Sequence, residues 1–383
     1  MANTVEINGY CEQRFLPVRE AFARNFESGQ EVGASFAATL NGEFIIDIRG
    51  GYADAAETRP WQEDTIVNVY STTKVMTALC ALMLVDRGIL DLDAPVAQYW
   101  PEFAQEGKEN LPVRYLLSHQ SGLAGFEKPI PVEALYDWHT IVTLLAAQKP
   151  WWQPGTHSGY HSLTFGYLIG EIIRRVTRRS LGRFFREEVA NPLDADFHIG
   201  LPGKHEPRVG ELIPPPQTEP GAPDYIDPAT ISEIQKKMGN PVMSALQSRD
   251  RAWRAAEIPA ANGHGNAHSV ARVAAALACG GELEGVSLLT PATIEKAIEE
   301  QCYGTDLVLN VPIRWGLGFG LNSSDTPISP NPRTFFWGGW GGSLVVIDLD
   351  ARLSFAYIMN KMGAGTMGDN RAAELAIAIY SSL

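Results

Sequence analysis

The chain has 383 residues, 45% hydrophobic and 20% charged, a composition that is typical of globular proteins and argues against a disordered or coiled-coil chain. Its 44 acidic and 31 basic residues give a net charge of -13, which argues against nucleic acid and anionic membranes as partners. The length corresponds to two or three domains of about 150 residues, or to one large domain with an insertion.

The N-terminal part of the chain combines helical and strand patterns. Apolar residues at helical spacing predict a helix over Glu12–Phe26. Two apolar runs, Val32–Leu40 and Phe44–Ile48, are joined by Asn41-Gly42, and both linking residues tolerate positive φ, so a β-hairpin is predicted. A second helix is predicted over Ser71–Arg87.

The middle of the chain, from Leu90 to about Asn262, is predicted to be mainly helical and rich in loops. Its clearest helix is Leu163–Phe185. The segment Leu201–Pro228 contains eight prolines, which exclude a helix or a central strand. A long loop of this kind either walls a site or is a surface excursion.

The last third of the chain returns to a mixed pattern, so the sheet is predicted to be built from both ends of the chain. An α/β fold of the α+β type follows, with residues 1–66 and 266–383 as the α/β domain and 67–265 as an inserted helical domain. The elements predicted here are helices at Ser269–Gly280, Thr290–Gln301 and Ala372–Ser382, and strands at Arg333–Phe336, Ser343–Asp348 and Leu353–Met359.

The four cysteines are far apart and form no CxxC pair, which gives little support to zinc or redox chemistry. Residues 1–15 carry charges and lack an apolar core, so no secretory signal is predicted and a cytoplasmic location is expected. The longest apolar stretch, Val75–Val85, is much shorter than the ~20 residues that span a bilayer, so no membrane association is expected.

Ser71 and Lys74 are the first candidates for chemistry. Residues three apart on a helix lie about 60° apart on one face. A buried lysine with a lowered pKa could remove the serine proton, and the apolar residues that follow Lys74 favour such burial. The alternative is a helix-capping serine beside a solvated lysine.

Two later segments add to this pair. Tyr160 precedes a predicted helix and could relay a proton, provided that the lysine ammonium lowers the pKa of its phenol. The segment 337–342, Trp-Gly-Gly-Trp-Gly-Gly, precedes a strand and could leave backbone N–H groups free for an oxyanion. The alternatives are a half-buried tyrosine and an ordinary glycine-rich turn. The sequence contains neither G-x-S-x-G nor H-E-x-x-H.

In this order, Ser71-Thr72-Thr73-Lys74, Tyr160-His161-Ser162 and Trp337-Gly338-Gly339 resemble the three active-site motifs of the class C β-lactamase and penicillin-binding superfamily. They are most similar to those of the family VIII carboxylesterases. The segments 99–103, 116–123 and 314–320 also resemble signatures of that superfamily.

The resemblance implies a serine β-lactamase-like fold, with a central antiparallel sheet flanked by helices, an inserted mainly helical domain, and the active site between the two domains. It implies Ser71 as the acylated nucleophile, with Lys74 and Tyr160 as base and proton relay; which of the two acts as base in each step stays open. The backbone N–H groups of Ser71 and Trp340 would form the oxyanion hole. This chemistry requires no metal or organic cofactor.

Two departures from the family pattern bear on the substrate. Ser162 stands where β-lactamases of this class carry asparagine, and Trp337 stands where they carry lysine. The missing lysine removes a charge-assisted contact to a substrate carboxylate, worth about 1.5–3 kcal/mol. Small uncharged esters are therefore the expected substrates. The residues expected to contact them are Trp337, Gly338, Gly339, Ser162, Tyr136 and Trp152.

The activity expected from the sequence is that of a serine carboxylesterase acting on small-molecule, short-chain esters. A β-lactamase or D-peptidase, and an acyltransferase with the same three residues, are the enzymatic alternatives. A binding protein that has lost turnover is disfavoured because the nucleophile and base are both present. A homo-oligomer is possible on this sequence.

Overall fold

A computed structural model describes residues 5–215 and 231–383 of the protein. Thirteen strands occur in the described residues, nine of them in one sheet. The strands are β1 (Ile7–Cys11), β2 (Gly33–Leu40), β3 (Glu43–Gly51), β4 (Val67–Asn68), β5 (His264–Gly265), β6 (Glu282–Leu283), β7 (Val286–Ser287), β8 (Cys302–Thr305), β9 (Pro312–Trp315), β10 (Gly320–Leu321), β11 (Thr334–Gly338), β12 (Leu344–Asp348) and β13 (Leu353–Met359).

The helices connect and cover these strands, and short 3-10 turns extend several of them. They are α1 (Leu16–Glu27), α2 (Thr73–Asp86), α3 (Val96–Tyr99), α4 (Val113–Leu117), α5 (Trp138–Ala147), α6 (Thr164–Thr177), α7 (Leu181–Phe185), α8 (Glu233–Lys237), α9 (Arg251–Ala255), α10 (Ala267–Ala278), α11 (Pro291–Ala297) and α12 (Asn370–Ser381). None of the described helices is long and apolar enough to cross a membrane.

The nine-stranded sheet is antiparallel throughout, in the order β1-β3-β2-β13-β12-β11-β10-β9-β8. Strands from the two ends of the chain meet where β13 pairs with β2. This confirms the prediction that both ends build the sheet. The hairpin predicted at Asn41-Gly42 is also confirmed, with φ of 53° and 89° at its two residues.

The sheet is buried on both faces because its strands alternate between two apolar clusters. In β13, Phe355 and Tyr357 belong to the cluster that α1 and α12 complete, whereas Ala356 and Ile358 belong to the cluster that includes α10 and α2. This alternation is the period of two that a strand imposes. The second cluster continues into the helical region, so α2 is held between the sheet and α6.

Some predicted elements differ from the observed ones. The helix predicted over Leu163–Phe185 is two helices, because Arg178 adopts a left-handed conformation (φ 58°) and Ser180 caps the start of α7 by accepting from the N–H of Arg183. The helix predicted over Thr290–Gln301 ends at Ala297, where the chain turns towards β8.

Four strands of the main sheet, β1 and β8 to β10, were not predicted. Only Ile7 of β1 is buried, so this edge strand lacks the apolar alternation that marks a strand. In the predicted proline-rich loop the described part, 201–215, contains one 3-10 turn at Gly203–Arg208, which the prediction missed. The rest of that loop up to residue 230 lies outside the described residues, and the domain boundaries stay a prediction.

Candidate active site

Ser71 lies in a tight turn between β4 and α2. The residue before it, Tyr70, has a φ of 44°, a left-handed conformation that costs a non-glycine residue about 1–3 kcal/mol. Packing holds this conformation: the ring of Tyr70 is 4% exposed and lies 5.1 Å from the ring of Trp340. The turn therefore presents a half-buried Ser71 immediately before the helix that carries Lys74.

Lys74 is buried with its amine against Ser71. Its Nζ lies 3.1 Å from Ser71 Oγ and donates to the carbonyl oxygens of Ser162 (2.7 Å) and Ala260 (2.9 Å). Burial holds the pKa of Lys74 well below its usual value of 10.5. The alternative of a solvated lysine is thereby excluded, since the residue is 1% exposed.

Tyr160 is the third member of the Ser71 group, which consists of Ser71, Lys74 and Tyr160. Lys74 Nζ lies 4.7 Å from the centre of its ring, and Trp337 Nε1 donates to the Tyr160 hydroxyl at 3.0 Å. Burial raises the pKa of Tyr160 above its usual value, and the polar side-chain groups of Ser71 and Trp337 near its hydroxyl oppose that rise only in part. The condition set in the sequence analysis, a pKa of Tyr160 lowered by the lysine ammonium, is not met, because burial raises this pKa.

The segment 118–122 is hydrogen-bonded to the segment 158–161, which we call the Tyr160 loop. The N–H of Gly159 donates to the carbonyl of His119 (3.0 Å), and the N–H of His161 donates to His119 Nδ1 (3.1 Å). Ser121 Oγ lies 2.6 Å from His161 Nε2. Burial lowers the pKa of His161 to about 3 and that of His119 well below 6.5. Both rings are therefore neutral, and their role in these contacts is structural.

The glycine-rich segment after β11 lies against the Ser71 turn. A Cβ on Gly339 would lie 2.3 Å from the Val69 carbonyl oxygen and 3.2 Å from the Ser71 nitrogen, so only glycine permits this approach. Ser343 Oγ ties the two segments by donating to the Val69 carbonyl at 2.9 Å. Within the described residues, the backbone N–H groups of Ser71 and Trp340 donate no hydrogen bond.

The residues predicted to contact substrate occupy different places. Trp337 is 1% exposed and bonded to Tyr160, and Ser162 offers its carbonyl to Lys74. Trp152 packs on the Tyr160 loop, where a Cβ on Gly159 would lie 2.4 Å from its ring. Tyr136 lines a separate cavity of about 510 Å³, and no hydrogen bond or ring contact joins it to the Ser71 group in the described part of the chain. Gly338 packs against the backbone of residue 367.

Sequence reasoning missed three contributors. Asp306 accepts a hydrogen bond from the N–H of Tyr160 at 2.9 Å. The ring of Trp315 is stacked with that of Tyr160, with 6.2 Å between the ring centres and 9° between the ring planes. The carbonyl of Ala260 is a partner of Lys74. In the sequence, the segment 314–320 stands out only as a family signature. The contact of Ala260 is made by its backbone carbonyl, which every residue type has, so the sequence cannot indicate it.

Comparisons with known proteins show which family and fold this chain shares. A family model described as Beta-lactamase matches residues 18–379. The crystal structure of a family VIII carboxylesterase is similar, with 43% identity and a TM-score of 0.92 over 99% of this chain and 100% of that one. A penicillin-binding protein homologue from Caulobacter crescentus is 43% identical, with a TM-score of 0.90 over 99% of this chain and 100% of that one.

A sequence relative extends the agreement. The esterase/beta-lactamase LipL of Mycobacterium tuberculosis is 34% identical over 368 residues, which cover 92% of this chain and 83% of LipL. The resemblance drawn from the three motifs and the expected fold are thus confirmed. The protein belongs to the beta-lactamase family, and it is similar there to the family VIII carboxylesterases.

Proposed function

We propose that this protein is a serine carboxylesterase that hydrolyses small, short-chain, uncharged esters through an acyl-Ser71 intermediate. One observation carries the proposal: the Ser71 hydroxyl lies 3.1 Å from a buried amine whose other two hydrogen-bond partners are carbonyl oxygens. The match to a family VIII carboxylesterase supports the same reaction class.

The partners of Lys74 suit it to act as the base. Carbonyl oxygens only accept hydrogen bonds, so the two hydrogens of a neutral amine go to Ser162 and Ala260. The lone pair is then directed at the Ser71 hydroxyl and can take its proton as the oxygen attacks the ester carbonyl. Burial favours the neutral amine that this step needs.

Tyr160 is suited to relay the proton to the leaving group. Its hydroxyl accepts from Trp337, so its own hydrogen is free to point towards Ser71. The raised pKa keeps it a phenol at neutral pH, which favours Lys74 over Tyr160 as the base. When the acyl–oxygen bond of the ester breaks, the alcohol leaves with the proton taken from Ser71. Water then attacks the acyl-serine, the bond between the acyl carbon and Ser71 Oγ breaks, a proton from the water returns to Ser71, and the carboxylic acid is released.

The free N–H groups of Ser71 and Trp340 would stabilise the oxyanion that forms in both steps. Gly339 lets the β11–β12 connection, which carries Trp340, lie against the Ser71 turn, so both donors can converge on one oxygen. Trp337 replaces the lysine that would pair with a substrate carboxylate, and this favours uncharged esters over β-lactams.

Amide or lactam hydrolysis is the second candidate, because the relative LipL is named both an esterase and a beta-lactamase. The catalytic group would serve either reaction, so substrate preference separates them. We expect p-nitrophenyl acetate and butyrate to be hydrolysed with a higher kcat/KM than longer esters or a chromogenic cephalosporin. A cephalosporin that is turned over faster than every ester would contradict the esterase assignment, and an added alcohol that diverts the acyl group would indicate an acyltransferase.

A Trp337→Phe variant should lower kcat for p-nitrophenyl butyrate by roughly three- to tenfold, because the ring is kept while the hydrogen bond to Tyr160 is lost. KM should change little. Trp138→Phe is the matched control, since Trp138 Nε1 donates to Glu171 at 2.8 Å without contacting the Ser71 group. Equal kcat in the two variants would show that the Trp337 hydrogen bond does not serve turnover.

A further inference from the structure

Asp306 is a fully buried carboxylate outside the group of Ser71, Lys74 and Tyr160. It follows β8, is 0% exposed, and is surrounded by donors. One oxygen accepts the N–H groups of Tyr160 (2.9 Å), Val308 (3.0 Å) and Leu309 (3.0 Å). The other accepts Trp315 Nε1 at 3.3 Å. A buried carboxylate needs such partners, and here they lead to the active site.

Two of these contacts reach Tyr160 by separate routes. The backbone N–H of Tyr160 binds the carboxylate directly, which fixes the position of its Cα. Trp315, whose indole N–H is held by the same carboxylate, lies parallel to the Tyr160 ring at 6.2 Å. Asp306 therefore holds both the base of the side chain and the aromatic surface against which the ring rests.

The remaining surroundings of the ring leave little room for another rotamer. The centre of the His119 ring lies edge-on at 5.1 Å from that of Tyr160, and the centre of the Trp337 ring lies at 5.1 Å with its plane tilted by 45°. The N–H of Leu307, next to Asp306, also donates to the Ser158 carbonyl at 2.9 Å. The β8–β9 connection and the Tyr160 loop are thus joined on either side of the carboxylate.

We propose that Asp306 is a positioning residue that holds the Tyr160 hydroxyl between Ser71 and Trp337. The inference rests on the proposed function, in which Tyr160 relays the proton to the leaving alcohol. Loss of Asp306 should therefore lower kcat more than it changes KM, because a displacement of about 1 Å in a reacting group can cost on the order of 100-fold in rate.

The chain offers a matched control in Asp348, which is also 0% exposed and lies at the β12–β13 turn. Its oxygens accept the N–H groups of Asp350 and Ala351 and the side chains of Ser329, Asn331 and Tyr380. None of these partners contacts Tyr160 in the described structure. Replacing Asp348 removes a buried, fully bonded carboxylate without touching the active site.

The experiment compares Asp306→Ala and Asp306→Asn with Asp348→Ala and Asp348→Asn, by kcat and KM on p-nitrophenyl butyrate and by Tm. We expect Asp306→Ala to lower kcat about 100-fold with KM within about twofold. Asp306→Asn should lose about tenfold, since its amide oxygen can still accept the backbone N–H groups. Both Asp348 variants should lose Tm but keep kcat within about threefold of the parent. A loss of kcat that follows Tm equally at both positions would overturn the proposal.

A second pair of variants keeps the test valid if Asp306→Ala does not fold. In Asp306→Asn the new amide N–H₂ faces the N–H of Trp315, which leaves two donors opposed. Trp315→Phe keeps the stacked ring and removes one donor, so adding it to Asp306→Asn should restore at least threefold of the lost kcat. Additive losses in the double variant would contradict the proposed geometry.

The outcome also separates this inference from the proposed function. If Ser71→Ala keeps the turnover of the parent, the acyl-Ser71 mechanism fails whatever Asp306 does. If Ser71→Ala is inactive while both Asp306 variants keep the kcat of the parent, only the role of Asp306 is refuted.

Discussion

Ser71→Ala is expected to lose roughly 10⁴- to 10⁶-fold of the kcat/KM for p-nitrophenyl butyrate, because the hydroxyl that would carry the acyl group is removed. The substitution keeps Cβ and removes only the hydroxyl, so the strained turn at Tyr70 and the buried Lys74 stay in place. Intact mass spectrometry after mixing with a slowly deacylated ester should show one acyl adduct on the parent and none on the variant.

Ser354→Ala is the matched control for this experiment. Its hydroxyl is also buried, lies 2.7 Å from Thr39 Oγ1 and donates to the Ala271 carbonyl at 2.9 Å, within the sheet and away from Lys74. We expect it to lower Tm and to keep kcat/KM within about threefold of the parent. An acyl adduct on Ser71→Ala, or turnover above a tenth of the parent, would rule out Ser71 as the nucleophile.

Lys74→Met should lower kcat/KM by roughly 10²- to 10⁴-fold, since methionine fills a similar volume but cannot accept the Ser71 proton. The base works only as a neutral amine, so activity of the parent is lost as pH falls through the pKa of Lys74. Because burial lowers that pKa, the parent should stay active at a pH where a solvated lysine would be fully charged.

Lys108→Met is the matched control, because it shows how much activity is lost when a buried lysine that is not the proposed base is replaced. Lys108 is 0% exposed, donates to the carbonyls of Gln105 (2.9 Å) and Gln148 (2.5 Å), and lies 5.1 Å from the ring of Phe103. Burial lowers its pKa to about 8, yet its amine contacts no serine hydroxyl. We expect this variant to lose Tm and retain kcat/KM; a loss as large as that of Lys74→Met would mean that destabilisation explains both.

The elements that could be predicted from the sequence are those in which local pattern and tertiary structure agree. The strand at Leu353–Met359 was predicted with its observed bounds because its apolar residues face two clusters. The spacing of Ser71 and Lys74 likewise predicted their contact, although Ser71 lies in the turn that precedes α2 and not on the helix itself. The strands β8 to β10 escaped prediction because they are only two to four residues long, too short for an apolar alternation to show.

The errors at the candidate site come from what spacing does not report. The sequence suggested that Lys74 would lower the pKa of Tyr160, but it gave no measure of burial and no direction for the amine. It also gave no reason to connect Asp306 to a tyrosine 146 residues earlier. Such partners are set by tertiary packing, and a lone aspartate in a loop carries no pattern of its own.

The close approach of Gly339 to the Ser71 turn has a consequence for biosynthesis. The nucleophile leaves the ribosome more than 260 residues before the second N–H donor, which is carried by the connection between β11 and β12. A polypeptide that stops before that connection contains Ser71, Lys74 and Tyr160 but lacks the second backbone N–H group that would bind the anionic oxygen. On the proposed mechanism, hydrolytic competence therefore arrives only once β11, β12 and the connection between them have been synthesised, and a growing chain stays inert towards esters until then.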